Sequence, residues 1–260
     1  MKNKFYLGID VGGTKINGVL LNAKTYKWRS AFCIGTPKSR EDFLKKLGEE
    51  IEKVKQRRDL TGIGAGIAGI IDIKSGIVIK APNISFLDKW RVKKYFAQFS
   101  KRVKIDNDSR CFLRGEAFLG AGKNYKNIVA LTIGTGIGGG LMINDKIYYG
   151  SHNTAGEFGH MIIGDKKSFE RLGAKKAFLK MGDTSKIIGL GIADLINALD
   201  PQIVILGGGG IMKAGVKIET VRKIAKKYVM SPLSKKTPII KGKLGEYSQA
   251  IGAALLMKIK

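Results

Sequence analysis

Hydrophobic and polar positions change period along the chain, and each change marks an element. Residues 5–10 (FYLGID) and 16–21 (INGVLL) are apolar runs broken by Gly12 and Gly13, which predicts two strands joined by a tight turn. Over residues 41–58 the apolar positions Phe43, Leu44, Leu47, Ile51 and Val54 recur at helical spacing. Residues 60–67 read as a buried, glycine-rich strand. Lys74, Ser75 and Gly76 form a turn that returns through 77–79. A helix is expected at 89–99, a short strand at 103–105, and a helix at 109–119 with Ser109 as a candidate cap.

A second series begins at 128. Residues 128–133 and 138–143 are predicted strands around Gly134, Thr135 and Gly136, followed by a strand at 147–149. Helices are expected near 186–199, at 216–228 and at 248–257, with strands at 203–206 and 239–242. LGIDVGGTKINGVL and LTIGTGIGGGLMI are one device used twice: strand, glycine turn with threonine, return strand. Two related α/β units facing each other would set the turns across a cleft, with residues 120–127 as a hinge. The expected domains are 1–119 with 252–260, and 120–251.

Composition narrows the class. The chain has 260 residues, 44% hydrophobic, enough for a sizeable core. No signal peptide or membrane span is expected, and Cys33 and Cys111 are too far apart for a metal pair, so a cytoplasmic protein with free thiols is expected. The net charge of +26 raises a nucleic-acid reading. Of the 47 basic residues 37 are lysine, spread along the chain without arginine–aromatic clusters, so no specific nucleic-acid role is expected.

The turns suit phosphate. Glycine allows successive N–H groups to converge on an anion, Thr14 and Thr135 add hydroxyls, and Lys15 adds a cation. The pattern G-x-G-x-x-G occurs at 64–69 and 134–139, but strands rather than a helix should follow, so neither reads as a dinucleotide site. Asp10 beside the first turn would repel phosphate unless Mg²⁺ lies between them. A magnesium nucleotide is the expected ligand.

IDVGGTK, GTGIGGGL, AGEFGHM and LDPQIVILGGGG together resemble the ROK family of sugar kinases and sugar-responsive repressors, over residues 5–256. The resemblance implies an α/β, two-domain actin-like ATPase (ribonuclease H-like) fold with a cleft between domains. It implies Asp10 on the magnesium side, Gly12, Gly13, Thr14 and Lys15 as the first phosphate loop, Thr135 and Gly136 in the second, and Gly208 and Gly209 at adenosine. Asp108, after Asn107, matches the family's catalytic base. Gly69, Asn83, Asn107, Glu157, His160 and Glu170 match sugar-facing positions. Alone, Asn107-Asp108-Ser109 would read as a helix cap, His160 as a core histidine and Glu157 as a surface acid.

The implied activity is ATP- and Mg²⁺-dependent phosphorylation of a hexose, glucose at the 6-hydroxyl first, by a homodimer. N-acetylmannosamine, N-acetylglucosamine, allose and fructose are alternatives. A repressor needs a helix-turn-helix ahead of the first strand, where this chain opens on the strand itself. A non-catalytic sugar sensor is the remaining alternative. Many ROK kinases carry a zinc stretch C-x-C-G-x-x-G-C-x-E after the GH motif. Here MIIGDKKSFERLGAKKAF follows His160, with no cysteine, so no zinc is expected. A helix beginning in segment 165–175, capped by Ser168 and packed through Phe169, Leu172 and Phe178, is expected to present Glu170 instead.

Overall fold

The computed structural model describes residues 4–164, 166–212 and 215–258. Asp165, at the head of the loop that replaces the zinc stretch, and the extreme termini of the expected first domain lie outside them. In chain order the elements are β1 (Lys4–Val11), β2 (Lys15–Asn22), β3 (Trp28–Gly35), α1 (Arg40–Arg57), β4 (Asp59–Ile67), β5 (Ile70–Asp72), β6 (Ile77–Lys80), α2 (Val92–Ala97), β7 (Val103–Asn107) and α3 (Asp108–Leu119). Then follow β8 (Ile128–Ile133), β9 (Ile137–Ile143), β10 (Lys146–Ile147), β11 (Ile162–Gly164), β12 (Lys167–Ser168), α4 (Phe169–Gly173), α5 (Lys175–Met181), α6 (Ser185–Leu199), β13 (Ile203–Gly207), α7 (Gly209–Met212), α8 (Ile218–Tyr228), β14 (Ile239–Lys241) and α9 (Ser248–Leu255).

The chain divides into two compact units, residues 1–115 with 247–260, and residues 116–246. Each is built on a five-stranded sheet, ordered β3-β2-β1-β4-β7 in the first and β10-β9-β8-β13-β14 in the second. Both run antiparallel, antiparallel, parallel, parallel across that order. The likeness read from two glycine turns therefore extends to the whole sheet.

In the first unit the buried face of α1 (Phe43, Leu47, Ile51, Val54) joins Leu7, Ile9, Ile63 and Ile105 in one core. Ser39 caps α1, its hydroxyl accepting from Asp42 N at 3.1 Å. Helix α9 lies so close to β1 and β4 that a Cβ on Gly8 would collide with the Ala250 carbonyl, and one on Gly64 with that of Ala253. In the second unit α4, α6 and α8 pack Phe169, Ile188, Ile192 and Val221 against Val129, Leu131 and Val204.

Two expectations need correction, and one element lies outside them. The helix expected at 89–99 is only Val92–Ala97, because Lys89 adopts φ +59° and Trp90 is drawn into the core. Strand β3 was not foreseen. Ser109 is not a cap: it lies inside α3, and Asn107 does the capping.

Candidate functional site

In the first unit three parallel strands end together. Their register aligns Asp10 with Gly66 and Gly66 with Asp106, and one step on, Val11 with Ile67 and Ile67 with Asn107. Functional groups therefore collect at the carboxyl edge, where α/β sheets bind ligands. The first turn is closed by Gly12 N donating to Lys15 O at 3.1 Å, and Thr36 fixes it from β3's end, its hydroxyl donating to Gly12 O at 2.6 Å. A Cβ on Gly13 would lie 3.0 Å from Asn83 Cβ, so Asn83 sits against this turn. Gly13 and Thr14 are exposed.

Asn107 Oδ1 accepts from Ser109 N (2.9 Å) and Arg110 N (3.2 Å), and its Nδ2 donates to Gly69 O at 3.2 Å. One side chain thus caps α3 and ties it to the 66–69 loop. Asp108 opens α3, where the helix dipole favours a carboxylate. A layer below, Asp106 is fully buried between two arginines. It accepts from Arg110 Nε at 2.7 Å and Arg114 Nη2 at 3.0 Å. The sequence expectations do not include this brace, although Arg110 and Arg114, four residues apart on one face of α3, follow closely on Asp106 at the end of β7.

Asp10 is 7% exposed. Burial of its carboxylate, and then the neighbouring Asp108 charge, push its pKa from 3.8 up to about 7, against the opposing pull of the Asn17 hydrogen bond and Lys15. A buried carboxylate that resists ionisation beside a second acid is a site that a cation would relieve. Among the described residues no group of three His, Cys, Asp or Glu could hold a metal ion.

The second unit gathers the other expected residues. The turn at Gly134–Gly136 is followed by β9, and a Cβ on Gly136 would collide with Glu170 Oε2. That oxygen accepts from Ile137 N at 2.8 Å. Glu170 stands in the first turn of α4, which Ser168 caps by accepting from Arg171 N at 3.2 Å, with Phe169 fully buried. Within this cysteine-free stretch, residues 168–173 therefore form a capped, core-anchored helix. Gly208 adopts φ +85° and packs against the backbone of Ile133, just before the second turn. A one-turn helix from Phe158 to His160 ends on His160, and Glu157 stands just before its start. Gly159 packs directly on Ile137. His160 Nε2 lies 3.9 Å from Glu157 Oε2, and both side chains are open to solvent. Neither G-x-G-x-x-G stretch leads into a helix: β5 follows one and β9 continues the other.

No helix among the described residues is long and apolar enough to cross a membrane. The sequence model of the ROK family matches residues 6–170 and 169–260. The chain is 31% identical over 256 residues to the N-acetylgalactosamine kinase AgaK of Shewanella sp. strain ANA-3, covering 78% of this chain and 81% of that one. It is 24% identical over 311 residues to the glucokinase of Streptomyces coelicolor, covering 97% of each. The crystal structure of a ROK family glucokinase from Streptomyces griseus with glucose and AMPPNP superimposes with a TM-score of 0.86 at 23% identity, over 98% of this chain and 100% of that one. With both glycine turns, the Asn107-Asp108 pair and the GEFGH segment in this order on two like sheets, the chain belongs to the ROK family and has its two-domain, actin-like ATPase fold.

Proposed function

We propose that the protein is an ATP-dependent sugar kinase that phosphorylates a hexose, glucose at its 6-hydroxyl first among candidates. The observation that carries this reading is the pairing of Asp10 and Asp108 at the carboxyl edge of one sheet, beside an exposed glycine turn. Phosphoryl transfer needs in-line positioning, neutralised charge and an acceptor for the hydroxyl proton. Asp108 accepts the proton of the 6-hydroxyl as that oxygen bonds to the γ-phosphorus, and ADP leaves with the electrons of the broken bond. Asn107, held at Gly69 and at the start of α3, orients Asp108. The family resemblance gives Gly12, Gly13, Thr14, Lys15, Thr135 and Gly136 the role of binding phosphate, and Gly208 and Gly209 that of receiving the adenosine. When bound, Mg²⁺ would neutralise the phosphate charge, and Asp10 would hold it through water.

For the sugar, Asn83, Asn107, Glu157, His160 and Glu170 supply the mixed donors and acceptors that a polyhydroxylated ring requires. Glu170 Oε2 is committed to Ile137 N, which leaves Oε1 for a sugar hydroxyl. The kinase relatives named above act on both plain and N-acetylated sugars. The sensor alternative lacks a reason to keep a buried acid whose ionisation burial opposes. We infer a cytoplasmic homodimer without zinc. An ADP-release assay across glucose, N-acetylglucosamine, N-acetylgalactosamine, N-acetylmannosamine, allose and fructose tests the reading. Sugar-dependent ADP release with one or two of them supports it, and none with any overturns it.

A further inference from the structure

At the end of the first sheet away from the glycine turn lies a cavity of about 1110 Å³. It opens among the starts of β1, β3 and β4, the end of β2 and the last turn of α1. Phe5 on its wall is five residues from Asp10, roughly 17 Å along an extended strand. It is therefore a separate place from the candidate site.

The lining has an unusual make-up. Lys27, Arg29, Lys55, Arg57 and Arg58 face Asp59 as the one acid in the wall. Lys55 pairs with Glu52 at 2.8 Å, but among the described residues none of the other four forms an ion pair. Basic residues at the end of α1 have a plain reading, since they complement the negative end of the helix dipole. That covers Lys55 and Arg57. It does not cover Lys27 and Arg29, which the β2–β3 hairpin brings to the same cavity. Gathering like charges costs stability unless an anion offsets them.

Aromatic rings accompany the charges. Arg29 lies 6.0 Å from the centre of the Phe5 ring, and Lys55 Nζ 5.6 Å from that of Phe99. Trp28, 37% exposed, leans on Tyr247 with ring centres 5.6 Å apart. Cations for phosphate beside rings for a base are the combination that binds nucleotides without reading their sequence. The volume exceeds what a small anion fills and suits a nucleotide.

We propose that this cavity is a second, non-catalytic site for a nucleotide bearing phosphates at two positions, its base against Trp28 and its phosphates among Lys27, Arg29, Arg57 and Arg58. The test is intrinsic fluorescence of the full chain titrated with adenosine 3′,5′-bisphosphate at physiological salt. The protein has two tryptophans, and Trp90, 3% exposed, is a fixed background. Saturable quenching is expected, with an apparent Kd below about 100 μM. It should be lost in Trp28→Phe and weakened at least about tenfold in the double variant Arg29→Ala, Arg57→Ala, since two phosphate-facing charges are removed. Both arginines are exposed, and an unchanged melting temperature confirms that the double variant folds; Lys27→Glu serves as a second, independent variant. Adenosine should give no saturable change, and tripolyphosphate should bind more weakly than the bisphosphate. Absence of saturable quenching, an unchanged midpoint in both charge variants, or tripolyphosphate binding as tightly as the nucleotide would overturn the proposal.

Discussion

Asp10 offers a prediction that needs no ligand. Its pKa rises from 3.8 to about 7 on folding, because burial and Asp108 both oppose its charge. The folded state therefore holds the proton more tightly than the unfolded chain. Stability from this group is complete below about pH 4, falls as pH rises, and levels off above about pH 7. Three units at about 1.4 kcal/mol each set an upper limit near 4 kcal/mol, of which roughly 2–3 kcal/mol accrues between pH 5 and pH 8. Asp10→Asn removes the titration. Thermal melts of both proteins without Mg²⁺ should show the variant gaining on the wild type between pH 5 and pH 8, by on the order of 5 °C. In an Asp108→Asn background the gain should shrink, since the second cause of the shift is gone. A gap between variant and wild type that does not change with pH would refute the reasoning.

Other outcomes follow from the same contacts. Asp106→Ala leaves Arg110 and Arg114 buried without their carboxylate and should cost about 3–5 kcal/mol, read from urea unfolding monitored in the first unit. Glu116 is fully buried and accepts from Ala121 N, Lys243 N and Leu244 N, so Glu116→Ala should destabilise the second unit by about 3 kcal/mol or more in the same experiment. Glu170→Ala should raise the KM for sugar and spare that for ATP, and unchanged sugar kinetics would remove Glu170 from the sugar site. Chelator treatment followed by excess Mg²⁺ should leave activity intact, and elemental analysis should show zinc well below one equivalent.

Much of this was legible in the sequence where the signal is local. The paired glycine turns, the long apolar strands and the helical spacing of Phe43, Leu47, Ile51 and Val54 all name their elements, and the turns announce two like units. The loop after His160 was legible too, because Ser168 followed by a core-sized Phe169 is a cap and an anchor. What stayed hidden depends on partners far along the chain. Strand β3 is an edge strand with a mostly exposed, irregular pattern, so neither period marks it. Asn107 rather than Ser109 caps α3 because β7 runs directly into the helix. The contact between Glu170 and the turn at Gly136 joins segments 33 residues apart and has no sequence signature.

The most direct measurement of the central claim is the turnover of Asp108→Asn with ATP and the best sugar, alongside its affinity for each. A general base is worth about 10²-fold or more, so kcat should fall by at least that factor while sugar and nucleotide affinities change little. Turnover near the wild-type rate would make Asp108 a structural residue at the start of α3 and contradict the proposed chemistry.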